Sequence, residues 1–178
     1  MLKSGQAVLA VIDIQGKLAS LMHEKQDVFD NTARMIQAAG VLGIDVICTE
    51  QCPEKLGVTI PEISEHLNVA PIAKLSFSCC AQETFGEALK RTGRSQVILA
   101  GIETHICVYQ TARDLLDGGY EVFVLIDAVS SRTKANRQLG LDRMRQAGAT
   151  LTSVEMALFE MLGVAQGDQF KQIARIVK

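Results

Sequence analysis

Six short runs of apolar, often β-branched residues recur along the chain. Longer stretches with helical periodicity separate them, and this alternation constrains the fold more than any other feature. The runs are Ala7–Ile12, Asp45–Thr49, Ala70–Leu75, Gln96–Ala100, Glu121–Ile126 and Thr150–Ser153. Several are apolar on consecutive residues, the pattern of strands covered on both faces. Between them, Asp27–Leu42 repeats apolar Val28, Met35, Ala39 and Leu42 at spacings of seven, four and three, as one face of a helix requires. Thr84–Arg91 and Thr104–Leu116 behave in the same way, Lys134–Gln146 less clearly, and Asp168–Val177 reads as a closing helix. Gly43, Gly93, Gly118-Gly119 and Gly148 follow helical stretches, where a left-handed C-terminal cap favours a residue without a side chain. Strand–helix–strand repetition of this kind predicts an α/β fold, a mainly parallel sheet between two helical layers.

With 178 residues, 48% of them hydrophobic, the chain suits one domain over residues 1–178 with a full core. No linker, low-complexity segment or internal repeat divides it. Charged residues make up 21%, the net charge is −2, and no basic block follows a phosphate backbone, so nucleic-acid binding is not expected. No stretch of about 18 apolar residues is present to cross a bilayer. Near the start, Asp13 interrupts the apolar run from Ala7 to Ile14, which reads as a buried strand and not as an export signal. The expectation is a soluble, cytoplasmic protein. The five cysteines, Cys48, Cys52, Cys79, Cys80 and Cys107, have no disulfide framework or zinc spacing and read as reduced thiols. The least regular region, Gln51–Asn68, contains Pro53, Gly57 and Pro61 and is a candidate active-site loop or subunit contact, although a plain surface loop is the commoner outcome.

In open parallel sheets, ligands bind beyond the carboxyl ends of the strands. Strand one runs into Asp13 and Gln15, strand two ends at Thr49-Glu50-Gln51, and strand three carries Lys74. Strand four leads through Gly101 to Ile102-Glu103-Thr104-His105-Ile106-Cys107, and strand five ends at Asp127 and Ser130. Each candidate has an ordinary explanation. Asp13 can cap a turn, Lys74 can be one half of a structural ion pair, and Cys107 can be a small core residue. Thr104 reads as the N-cap of the next helix, which puts Cys107 in its first turn. There the exposed backbone N–H groups and the helix dipole favour a thiolate and can hold an oxyanion. An acid, a lysine and a cysteine converging from three strand ends fit nucleophilic catalysis: Asp13 takes the proton of Cys107, and Lys74 stabilises the charged pair.

The segment from Gly101 to Val108, with Gln110-Thr111-Ala112, closely resembles the nucleophile motif of the isochorismatase-like cysteine hydrolases. Val11-Ile12-Asp13-Ile14-Gln15 and Ala73-Lys74-Leu75-Ser76-Phe77-Ser78 resemble that family's acid and lysine motifs, in the same order. The similarity runs from Ala7 to about Leu162, and the loop Thr49–Gly57 resembles the branch of small isochorismatase-domain proteins. The resemblance implies a six-stranded sheet of order 3-2-1-4-5-6 and a catalytic triad of Asp13, Lys74 and Cys107. It also implies a cis peptide between Ile102 and Glu103, an oxyanion hole of the Glu103 and Cys107 backbone N–H groups, and Gln15 as a pocket-lining residue. Leu18, Leu21 and the Gln51–Gly57 loop are expected to shape the pocket. Nicotinamidases of the family bind a metal through histidines after strand two. The matching stretch here, Thr49-Glu50-Gln51-Cys52-Pro53, has none, and no two of His23, His66 and His105 have ligand spacing, so neither metal nor cofactor is expected.

True isochorismatases cleave a vinyl ether without a cysteine nucleophile, so Cys107 points to a small amide, carbamoyl or related carbonyl substrate. A homo-oligomer, a dimer or larger, is expected from the family and the apolar composition. The contrasting reading is a non-catalytic member whose role is binding or assembly. A third, nucleotide or flavin binding, is weak because Asp13-Ile14-Gln15-Gly16-Lys17 lacks a glycine-rich phosphate loop.

Overall fold

The computed structural model describes residues 1–178. Strand β1 (Ala7–Ile12) leads into a short helix α1 (Gly16–Ser20) and the long α2 (Lys25–Leu42). Strand β2 (Asp45–Gln51) is followed by two single-turn helices, α3 (Pro53–Leu56) and α4 (Pro61–Ser64), and by the short β3 (Ile72–Lys74). Then come α5 (Glu83–Thr92), β4 (Gln96–Ile102), a π-helical turn over Thr104–Val108 that continues into α6 (Tyr109–Asp117), and β5 (Glu121–Ser130). The chain closes with α7 (Lys134–Gln146), β6 (Thr150–Thr152), α8 (Val154–Leu162) and α9 (Gly167–Ile176).

The six strands form one sheet of order β3-β2-β1-β4-β5-β6, parallel throughout. All residues of the two central strands, β1 and β4, are buried, which explains their uninterrupted apolar sequence. Alternate side chains enter opposite cores. Leu9, Val11, Ile98 and Ala100 join Phe29, Met35, Leu158 and Ile173 on the α2–α8–α9 side. Val8, Ala10, Val97 and Leu99 join Phe85, Ala112, Leu115 and Met144 on the α5–α6–α7 side. The architecture is the three-layer fold expected from the alternation of elements.

Several boundaries differ from the sequence reading. β3 begins at Ile72, not Ala70, since Pro71 has no N–H to give to a ladder. β5 runs four residues beyond Ile126, because its register with β4 slips between Leu99 and Gly101, a bulge that absorbs Leu125–Ala128. Helix α8 was not anticipated. Its sequence is apolar at nearly every position, so periodicity conceals it, although Ser153 caps it by accepting the Met156 N–H. The Gln51–Asn68 region is ordered, and its Thr59 forms an antiparallel bridge with Gln15.

Candidate active site

The sheet register assembles the carboxyl ends of β1 to β4. Ile12 lies between Thr49 and Gly101, and Gln51 pairs with Lys74. Asp13 therefore emerges beside the ends of β2 and β4, with a left-handed φ of 54° that a non-glycine residue seldom adopts. On the other side Gly101 sits at φ 130°, and a Cβ there would come within 2.1 Å of the Ile12 carbonyl oxygen. Only glycine lets β4 pass so close to the residue before Asp13.

Asp13 and Lys74 are each 2% exposed and form an ion pair of 2.6 Å. Taking both charges out of water costs several kcal/mol per ion unless each is fully hydrogen-bonded, and both are. Thr49 Oγ1 donates to Asp13 Oδ1 at 2.8 Å, leaving Oδ2 for the lysine. The Lys74 ammonium also donates to Gln51 Oε1 at 2.8 Å and to the Ser76 and Phe77 carbonyls at 3.2 Å. Burial opposes the charge on Lys74, but its pKa is raised above the ordinary lysine value, chiefly by the Asp13 carboxylate. Lys74 is thus charged at neutral pH.

Cys107, 7% exposed, lies in the π-helical turn. Burial pushes its thiol up to about 12. The Asp13 charge pushes the same way, and the Lys74 charge opposes it. Lys74 and the helix terminus favour a thiolate, but desolvation beside a carboxylate outweighs them, and the thiol keeps its proton. Thr104 is not the N-cap. That position belongs to Glu103, and the Thr104 hydroxyl is buried without a partner.

The turn itself hangs on Glu103. The Ile102–Glu103 peptide is cis. The Glu103 carbonyl accepts the N–H groups of Ile106 at 3.0 Å and Val108 at 3.3 Å, while its own N–H has no partner in the chain. Its carboxylate, 6% exposed, is gripped by Arg132, whose Nε lies 3.1 and 3.2 Å from the two oxygens and whose backbone N–H donates at 3.1 Å. From behind, α7 presses on the turn at Gly140, where a Cβ would lie 2.8 Å from the Thr104 carbonyl.

Gln15 does not face an open cleft. It is fully buried, and its amide is spent on the chain. Oε1 accepts the Gln51 N–H at 2.6 Å, and Nε2 donates to the Gln51 and Gly57 carbonyls at 3.0 and 2.6 Å. It straps the Gln51–Asn68 region over the end of β1. Leu18 is half-buried against the α2-side core, whereas Leu21 is 52% exposed. Glu50 bonds the N–H and hydroxyl of Thr59 at 2.6 and 2.7 Å, and Asp127 caps α8 through the Val154 N–H. No three His, Cys, Asp or Glu residues come close enough to hold a metal ion. Sequence reasoning noted Thr49 and Gln51 only as strand-end residues. Their spacing of two puts them on one side of β2, a signal that could have assigned them to Asp13 and Lys74. It missed Arg132 entirely.

An acid, a cation and a thiol are thus gathered where three strands end, beside a turn with a free backbone N–H. Comparison with known proteins bears on that arrangement. Residues 7–156 match the isochorismatase domain. The chain is 41% identical over 177 residues to the secreted isochorismatase effector Isc1 of Phytophthora sojae, covering 97% of this chain and 84% of that protein. It superposes on the MAR1 ribonuclease of Caenorhabditis elegans with a TM-score of 0.92 and 38% identity, covering 99% of this chain and 91% of that one. On the YcaC gene product of Escherichia coli, described as an octameric hydrolase of unknown specificity, the TM-score is 0.91 at 27% identity, with 98% and 89% of the chains covered. Matched over most of its length in both sequence and fold, this chain belongs to the isochorismatase family of hydrolases.

Proposed function

We propose that the chain is a metal-independent cysteine hydrolase that cleaves a small amide, carbamoyl or related carbonyl substrate through an acyl-thioenzyme on Cys107. The observation that carries this reading is the buried Asp13–Lys74 ion pair, whose carboxylate also acts on the Cys107 thiol. A carboxylate paired with a buried ammonium beside a protonated thiol is placed to act as a general base.

As the substrate carbonyl approaches, Asp13 takes the proton from Cys107 Sγ, and the sulfur forms a bond to the carbonyl carbon. The carbonyl electron pair moves onto oxygen, which accepts hydrogen bonds from the Glu103 and Cys107 backbone N–H groups. Collapse expels the amine, which takes the proton from Asp13. Water then loses a proton to Asp13 and attacks the thioester. The acid leaves, and the proton returns to sulfur. Lys74 keeps its charge throughout and offsets whichever of Asp13 and Cys107 is negative. The substrate is a small molecule, because the triad is all but enclosed. The octameric assembly of the E. coli relative supports a homo-oligomer here. No helix is long and apolar enough to cross a membrane, which is compatible with work in the cytoplasm.

A second reading, RNA cleavage, is favoured by one observation, the name of the C. elegans relative. The net charge of −2 and the absence of a basic run weigh against it. A hydrolysis screen over small amides, carbamoyl compounds, hydroxamates and a mixed-sequence RNA, run beside Cys107→Ala, tests both. The expected result is turnover of a small carbonyl compound that disappears in Cys107→Ala while the circular dichroism spectrum is unchanged. Equal turnover by the variant would overturn the nucleophile assignment. Cleavage of RNA alone would replace the reading with the second one, and no turnover of any compound would favour a binding or assembly role.

A further inference from the structure

We infer that Arg132 is a positioning residue for the oxyanion site, acting through the side chain of Glu103; this rests on the acyl-thioenzyme reading above. Glu103 has two ends with different tasks. Its backbone carries the unpartnered N–H offered to the oxyanion and the carbonyl that closes the π-helical turn. Its carboxylate is 6% exposed and reaches the loop between β5 and α7, where Arg132 meets both oxygens through Nε and one through its backbone N–H. A residue fixed at the carbonyl and at the carboxylate has little freedom left at the N–H between them.

The β5 bulge makes this grip possible. By slipping the register so that Ile102 pairs with Ser130, it brings Arg132 alongside Glu103. Also near this carboxylate is His105, whose Nδ1 lies 4.0 Å from Glu103 Oε2 and 3.0 Å from the Ser131 hydroxyl. Serine and glutamate therefore address the same ring nitrogen. That geometry excludes a serine–histidine–acid relay, in which the two partners need opposite nitrogens. The cluster holds the backbone and does no chemistry of its own.

Cys107 shares the turn with Glu103, but its side chain has a second anchor, the core on the α5–α6–α7 side. Loss of the Arg132 grip should therefore disturb oxyanion stabilisation more than it disturbs the thiol. Two reagents separate these effects. Acylation by 4-nitrophenyl acetate passes through a tetrahedral oxyanion, whereas alkylation by iodoacetamide displaces iodide and forms none. Both need the same deprotonation of Cys107.

The test follows both adducts on the Cys107 peptide by mass spectrometry in the full-length protein, with thermal melting to verify folding. In Arg132→Gln, acylation should fall about 10-fold, a fraction of the ~10²–10³ lost when an oxyanion donor is removed outright, because the backbone N–H of residue 132 still holds one oxygen. Alkylation should change less than about 3-fold, well short of the acylation effect. Arg132→Lys should recover part of the acylation rate, and Glu103→Gln should reproduce the loss without adding to it in the double variant. Equal change in both reactions, or no change in either, would overturn the inference while leaving the nucleophile in place. If the wild-type protein forms no acyl adduct on Cys107, the reading of the site falls and the inference with it.

Discussion

The ends of β1, β2 and β3 and the ends of β4 and β5 form two halves of one site, built in opposite ways. In the first, Asp13, Thr49, Gln51 and Lys74 are buried, and the two charges cancel at 2.6 Å. Asp13 also accepts from the Thr49 hydroxyl, and Lys74 also donates to Gln51, both on β2, so neither charge can relax to solvent. In the second half, one buried carboxylate, Glu103, is balanced by an arginine whose side chain is 54% exposed. The half that holds the Asp13–Lys74 pair is fixed by the sheet itself. The half that would receive the oxyanion is fixed by a clamp at the surface, on a loop that a strand bulge delivers. Damage to the first half should cost stability and chemistry together, whereas damage to the second should cost chemistry alone.

The largest effect is expected from Lys74→Ala. It leaves Asp13 buried without its counter-charge, and breaking a buried pair in this way costs about 3–5 kcal/mol. Urea denaturation should show that loss, together with absent turnover. By contrast, the half-exposed Arg132 partner of Glu103 should contribute about 1 kcal/mol or less, as ion pairs open to solvent do. Similar destabilisation by Lys74→Ala and Arg132→Gln would erase the distinction between the halves.

A smaller effect, graded with pH, is expected on the alkaline side. Burial pushes the Cys48, Cys80 and Cys107 thiols from 9.0 up to about 12, and Cys79 up to about 11. In the unfolded chain these thiols lose protons near pH 9, while the folded protein keeps them, so the folded state binds more protons and stability falls as pH rises. The contribution is whole below pH 9 and is lost between about 9 and 12. Thermal midpoints measured from pH 7 to 10.5 should hold level and then drop, and Cys48→Ala should flatten the drop. A midpoint that rises through this range would contradict the burial of the thiols.

Much of this was legible in the sequence for a simple reason. β1 and β4 are apolar on consecutive residues because both faces are covered, and the residues just past their ends are the ones that face a cleft. Asp13 stands out by that rule; Lys74, the last residue of β3, and Cys107, in the turn after β4, were joined to it by the resemblance to the family's three motifs. The bulge in β5 was not legible, because Asp127 breaks the apolar run and looks like a strand end. The grip of Arg132 on Glu103 was hidden with it, since 29 residues separate the two and only the slipped register joins them. The balance at Cys107 was legible only in part. Lys74 and the helix terminus, which favour a thiolate, and Asp13, which opposes it, are visible in the sequence, but the degree of burial that decides between them depends on the packing around the turn.

The central claim is that Asp13 takes the Cys107 proton, and Asp13→Asn tests it most directly. The amide can still accept the Thr49 hydroxyl bond but cannot act as a base. With any substrate whose turnover requires Cys107, the rate of acyl-thioenzyme formation, read by rapid quench and intact-protein mass, should fall at least ~10²-fold. An unchanged rate in Asp13→Asn would contradict the claim and assign the proton of Cys107 to another group.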